Sequence, residues 1–183
     1  LYGEICFSLA AGSVVKEPAG MPKSLREASL IIEERLVKGT GRFLDYLPEG
    51  NSALHEKSLL EKYLRTVTHA VEIMNEEEAG KALSQIRTGV AAVKDVRGHE
   101  VFELISSCGA LFLSQVESKE RREKLEHFSG KCRQCGSQEA LFRVLEDLQR
   151  TYIRELLQEH EGDMVRPVRQ AKQYIQNHFS EPI

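Results

Sequence analysis

Val101-Phe102-Glu103-Leu104-Ile105-Ser106-Ser107-Cys108-Gly109-Ala110-Leu111-Phe112 carries apolar side chains at positions 101, 104, 105, 108, 111 and 112. Steps of three and four residues gather side chains on one side only if the chain is helical. The same spacing recurs on both sides of this stretch. Leu60, Tyr63, Leu64, Val67, Val71 and Met74 form one stripe; Ala79, Ala82, Leu83, Ile86, Val90 and Val93 form another. Leu141, Val144, Leu145, Leu148, Tyr152 and Leu156 form a further one. Each is one-sided, with charged residues opposite, as the surface helices of a bundle require. Asn75, Gly98 and the Gly130–Gly136 region punctuate them, and such short connections favour antiparallel neighbours. There is no internal repeat and no low-complexity tract.

Before Pro48 the pattern differs. Glu4-Ile5-Cys6-Phe7-Ser8-Leu9 alternates like a short strand and is followed by a loop from Gly12 to Pro22. Ser24-x-x-Glu27 has the form of a capping box, in which each side chain accepts the other residue's free N–H. It predicts a helix with Leu25, Ala28, Ile32 and Leu36 on its apolar face and Gly39 as its stop. Arg42-Phe43-Leu44-Asp45-Tyr46 reads as a second strand. The expected fold class is therefore α+β: a small partial α/β unit (1–47), then a predominantly α-helical bundle (48–163). A last helix is expected past Gly162, from about Pro167, with Val168, Ala171, Tyr174, Ile175 and Phe179 on one side (164–183).

The chain has 183 residues, 28 Asp+Glu against 25 Lys+Arg, and 41% hydrophobic residues. These values suit a globular protein with its own core and argue against a disordered, collagenous or strongly basic chain. It starts at Leu1 and stops at Ile183 in mid-pattern, as if cut from something longer. No stretch approaches the roughly 20 apolar residues of a membrane helix, and no signal peptide is recognisable. A cytoplasmic segment without membrane contact is expected.

Chemical constellations are sparse. There is no G-x-S-x-G, Walker loop or H-E-x-x-H, and Gly39-Thr40-Gly41 lacks the third glycine of a dinucleotide fingerprint. The six His residues are dispersed, and His69 and His160 read as solvated. Tyr63, Tyr152 and Tyr174 lie on helical stripes, as core aromatics do. No catalytic, cofactor-binding or metal-binding residue is assigned, and no enzyme is expected. Cys6 and Cys108 read as small buried hydrophobes. His127 with Cys132 and Cys135 is the sharpest local candidate: two thiolates and an imidazole suit Zn²⁺, and C-x-x-C also suits a redox dithiol. A structural zinc site wants four ligands and the sequence offers no partner motif, which favours a loop with incidental cysteines. Ser137 beside it is a natural N-cap for the helix that follows. The run Glu117–Lys124 mixes charge signs as a docking surface or a solvated helix face would, and the alternation favours the latter.

The two termini resemble parts of known families. Val168-x-x-Ala171-x-x-Tyr174-Ile175-x-x-His178-Phe179-Ser180-Glu181-Pro182-Ile183 resembles the first helix of AraC-type DNA-binding domains. In that family two helix-turn-helix units follow and read the major groove; here those helices would lie beyond Ile183, so no DNA-binding residue falls within this chain. The strand Ile5–Leu9, the helix Ser24-Leu25-Arg26-Glu27-Ala28 through Leu36, Lys38-Gly39, and the strand ending Phe43-Leu44-Asp45-Tyr46 look like the C-terminal part of a degenerate GGDEF-like domain. Its Gly-Gly-Asp-Glu-Phe hairpin would precede Leu1. The middle of the chain agrees with such regulators only in being helical and in its placement.

Together these resemblances imply the signal-transmitting middle segment of a bacterial AraC-type transcription regulator, of the two-component response-regulator kind. The partners implied are DNA through the C-terminal domain, an upstream receiver or sensor domain with a histidine kinase, and a second copy in a homodimer. The alternatives are a helical sensory module with a ligand pocket between its helices, and a zinc-stabilised interaction domain.

Overall fold

A computed structural model describes residues 7–46, 54–116 and 120–178, with side chains through residue 160. The described residues are mostly helical, with a small two-stranded parallel sheet among them. Strand β1 (Leu9–Ala10) leads through a 3-10 turn at Pro18–Gly20 into α1 (Met21–Glu33) and α2 (Arg35–Lys38). Strand β2 (Phe43–Leu44) then returns beside β1, with Leu9 opposite Phe43 and Ala10 opposite Leu44. Parallel strands need such a crossover, and α1 and α2 supply it. Gly39 ends α2 at φ 87°, a left-handed backbone that glycine adopts without a Cβ clash.

Several N-terminal details depart from expectation. Of the expected first strand only Leu9 lies in β1; Phe7 and Ser8 lie outside it, and Glu4, Ile5 and Cys6 fall outside the described residues. The second strand is confined to Phe43–Leu44. Helix α1 starts at Met21 with Pro22 in its first turn, where a missing N–H costs nothing. Ser24 is thus inside the helix and no capping box forms. The Glu27 carboxylate instead accepts the Ser13 N–H at 3.0 Å, tying the preceding loop to the helix. Leu25 is 70% exposed, and the inward face is carried by Ile31, Glu34 and Leu36.

The bundle follows as α3 (Glu56–Glu72), α4 (Glu76–Ala91), α5 (Gly98–Gln115), α6 (Arg121–Gln134) and α7 (Gln138–His178). Asn75 caps α4, its Oδ1 accepting the N–H groups of Glu77 (2.8 Å) and Glu78 (3.1 Å). The acidic run Glu76–Glu78 lies at the positive end of that helix dipole. Ser137 caps α7, Oγ accepting the Ala140 N–H at 3.2 Å. The core is built largely from the sequence stripes: Tyr63 and Val67; Ala79, Ala82, Leu83, Ile86 and Val90; Val101, Leu104, Ile105, Cys108 and Phe112; Leu141, Leu145 and Tyr152. A buried aliphatic or aromatic side chain contributes about 1.5–3 kcal/mol relative to exposure, so these stripes dominate the bundle's stability. At its centre Gln149 of α7 donates from Nε2 to the Tyr63 hydroxyl at 2.9 Å, a buried polar pair bridging α3 and α7.

Helix α6 occupies the stretch expected to be a loop around Cys132, and only Phe128 and Cys132 of it are buried. Helix α7 shows no break at Gly162 or Pro167. Its backbone is helical for 41 residues, about 60 Å at 1.5 Å per residue. Proline is disfavoured inside a helix, yet it removes only one backbone bond from a helix anchored over its first five turns. Among the described residues, no helix is long and apolar enough to cross a membrane.

Candidate functional site at the junction of the N-terminal unit and the bundle

The chain turns at Glu34, between α1 and α2, and three consecutive charged residues there reach the bundle. Glu34 is 2% exposed. Its Oε1 accepts the Gly98 N–H at 2.9 Å, at the start of α5, and Lys38 Nζ lies 3.7 Å from its other oxygen. The first N–H groups of a helix have no partner within it and carry partial positive charge, so a carboxylate there satisfies both needs. His99 Nδ1 lies 3.9 Å from Glu34 Oε1, buried and without a hydrogen-bond partner among the described residues. The backbones meet so closely that a Cβ on Gly98 would fall 1.9 Å from the Glu33 carbonyl oxygen. Position 98 therefore requires glycine for contact rather than for torsional freedom.

Arg35 does the complementary thing at the end of α6. Its Nη2 donates to Arg133 O at 2.7 Å and its Nε to Cys135 O at 3.0 Å, while Nη1 donates to Ile32 O at 2.8 Å. A guanidinium thus meets the negative end of one helix while a carboxylate, one residue earlier, meets the positive end of another. Both charges agree with the dipoles they face. Cys135 sits in the turn from which α7 starts. The N-terminal unit therefore grips the point of departure of the longest helix.

Beside this grip is a cleft of about 540 Å³, lined by Ser8, Ser29, Glu33, Arg35, Thr40 and Arg133, among others. Burial pushes the Glu33 carboxyl up to about 7; Glu103 acts in the same direction, and Arg35 and Arg133 oppose it. A carboxyl that titrates near neutrality at a contact between two units changes their attraction over a physiological pH range.

His127, Cys132 and Cys135 are not assembled into one centre. Cys132 is buried within α6, Cys135 is the buried residue ending it, and His127 is exposed. Burial pushes the Cys132 thiol up to about 12, Cys135 adding to it, and burial also raises Cys135. Such thiols are poor nucleophiles. Cys135 Sγ donates to Lys131 O at 3.4 Å, closing the last turn of α6. Among the described residues no group of three His, Cys, Asp or Glu is placed to hold a metal ion. Cys108 is buried in the core, as its stripe implies. In the run Glu117–Lys124, residues 117–119 lie outside the described residues; Arg121, Arg122 and Glu123 are exposed, and Lys124 is half-buried against α7.

Sequence reasoning did not single out Glu33, Glu34 or Arg35, and it read Gly98 only as a break between helices. One signal was available: Glu34 lies three residues after Ile31 and two before Leu36, both apolar, in a stretch that reads as helical. A charge at such a position implies a partner, and nothing local supplies enough of one. Comparison with known protein families, curated proteins and solved structures found no match.

Proposed function

We propose that this chain is the signal-transmitting middle segment of a bacterial AraC-type transcription regulator, of the response-regulator kind. One observation carries the reading. Helix α7 starts at the turn held by Arg35 and continues unbroken into Val168–His178, the stretch that resembles the first helix of an AraC-type DNA-binding domain. A shift of the N-terminal unit acts on α5 through Glu34 and on the α6–α7 turn through Arg35, and a continuous helix passes rotation on with little loss. In this reading an upstream receiver or sensor domain, addressed by a histidine kinase, moves the GGDEF-like unit. The downstream domain, paired with a second copy, reads DNA.

The test is helical phase. In the full-length regulator, two residues inserted after Gly162 rotate everything downstream by about 200°, whereas seven rotate it by about 700°, within roughly 20° of two full turns. Induction measured with a promoter reporter should be lost with two residues and largely return with seven. Equal behaviour of the two insertions, both inducible or both dead, would refute transmission through α7.

The sensory-module alternative has one observation in its favour, an open groove between α6 and α7.

A further inference from the structure

Helices α6 and α7 form a hairpin that closes around Cys132 and Leu141 near its turn and opens toward its far end, where a groove of about 670 Å³ separates them. That volume lies within the range of clefts that take small organic molecules. The floor is apolar: Phe128, Val144, Leu148 and the ring of Tyr152. Tyr152 also meets Phe112 of the core edge-to-face, with ring centroids 6.1 Å apart and planes at 77°. The walls carry Glu120, Glu123, Glu126, Asp147 and Glu155 against two ammonium groups, Lys124 and Lys131.

The chain itself indicates what this surface accepts. Lys124 lays its ammonium over the Tyr152 ring, 4.1 Å from the centroid, with Glu155 Oε2 at 3.5 Å and Glu120 Oε2 at 3.9 Å. A π-face flanked by carboxylates stabilises a cation through the ring quadrupole and through direct charge attraction. Lysine has a flexible four-carbon stem with water as an alternative partner, so its place is open to competition from a cation that also fills the apolar floor.

We propose that the α6–α7 groove binds a small organic cation with an apolar body, its ammonium or guanidinium taking the place of Lys124 on Tyr152 and its body lying on Phe128, Val144 and Leu148. Lys124 then acts as an internal competitor that sets the affinity. The proposal rests on the groove alone and stands or falls independently of transmission along α7.

The probe is 2-phenylethylammonium, titrated calorimetrically into the 183-residue chain, with 2-phenylethanol and phenylacetate as neutral and anionic counterparts. The cation should bind saturably and at least tenfold more tightly than either counterpart. Lys124→Ala should tighten it several-fold by removing the competitor, and Glu155→Gln should weaken it several-fold. Neither position belongs to the buried hydrophobic core. Equal affinity for the three probes, no binding of the cation, or unchanged or weaker binding in Lys124→Ala would each overturn the proposal.

Discussion

Gly98→Ala tests whether the N-terminal unit is held on the bundle by the contact at Glu34. The added methyl group would sit 1.9 Å from the Glu33 carbonyl oxygen and 2.7 Å from the Glu34 Cα, both backbone atoms that cannot rotate away. Carbon–oxygen contacts settle near about 3.3 Å, so the two backbones must separate by roughly 1.4 Å. The 2.9 Å bond from Gly98 N to Glu34 does not survive that separation. Losing a hydrogen bond to a charged group costs about 1.5–3 kcal/mol, and forced overpacking costs about 1–3 kcal/mol where it cannot relax. Replacing glycine in a helix returns up to about 1 kcal/mol. The net expectation is a loss of about 1.5–5 kcal/mol in urea unfolding. Hydrogen exchange should localise it, with amides of α1 and α2 losing protection while those of α4 keep theirs. Gly80→Ala on α4 is the control: nothing lies within 4 Å of its added Cβ, so it should be neutral or slightly stabilising. A Gly98→Ala protein within about 0.5 kcal/mol of the parent, with unchanged protection of α1 and α2, would show that the contact does not hold the unit.

Two further substitutions probe the polar groups. Tyr63→Phe strands the buried Gln149 amide that now donates to the hydroxyl, and should cost about 1–3 kcal/mol in chemical denaturation. The double variant Tyr63→Phe with Gln149→Leu should recover most of that loss, and failure to recover any would mean the pair matters for shape rather than hydrogen bonding. Glu33 concerns pH. Its carboxyl is raised from 4.5 to about 7, so the folded state holds a proton between those values that the unfolded state has released. Stability should therefore fall as pH rises through that window and level off above it. Glu33→Gln should remove about 1 kcal/mol of the difference between urea unfolding at pH 5 and at pH 8, a figure reduced for the solvent that reaches this half-buried group. An identical pH dependence in both proteins would exclude Glu33 as its source.

The bundle was legible because side-chain periodicity reports a local fact, which sides of a helix avoid water. The stripe Ala79, Ala82, Leu83, Ile86, Val90 is buried as its spacing implies, and Asn75 and Ser137 cap the helices they precede because capping needs only the next three residues. Helix α6 gave a faint stripe, with two buried residues among dense charge, and a cysteine pair that drew attention to chemistry over packing. The capping box at Ser24 was a sound local motif that lost to another local one, proline in the first turn, once Glu27 found Ser13.

The sequence by itself determined the class of fold, the helices whose faces make the core, and the resemblances at both termini. Only the tertiary structure decided what joins the parts. Glu34 and Gly98 are 64 residues apart, and Arg35 and Cys135 are 100 apart. No periodicity encodes which helix end a distant charge will find. The continuity of α7 through Gly162 and Pro167 was likewise undecidable from propensity, which disfavours helix at both residues, because that penalty acts on a helix already anchored through Gln149, Tyr152 and Ile153. Local sequence sets the preferences of each segment; packing sets which preferences are overridden.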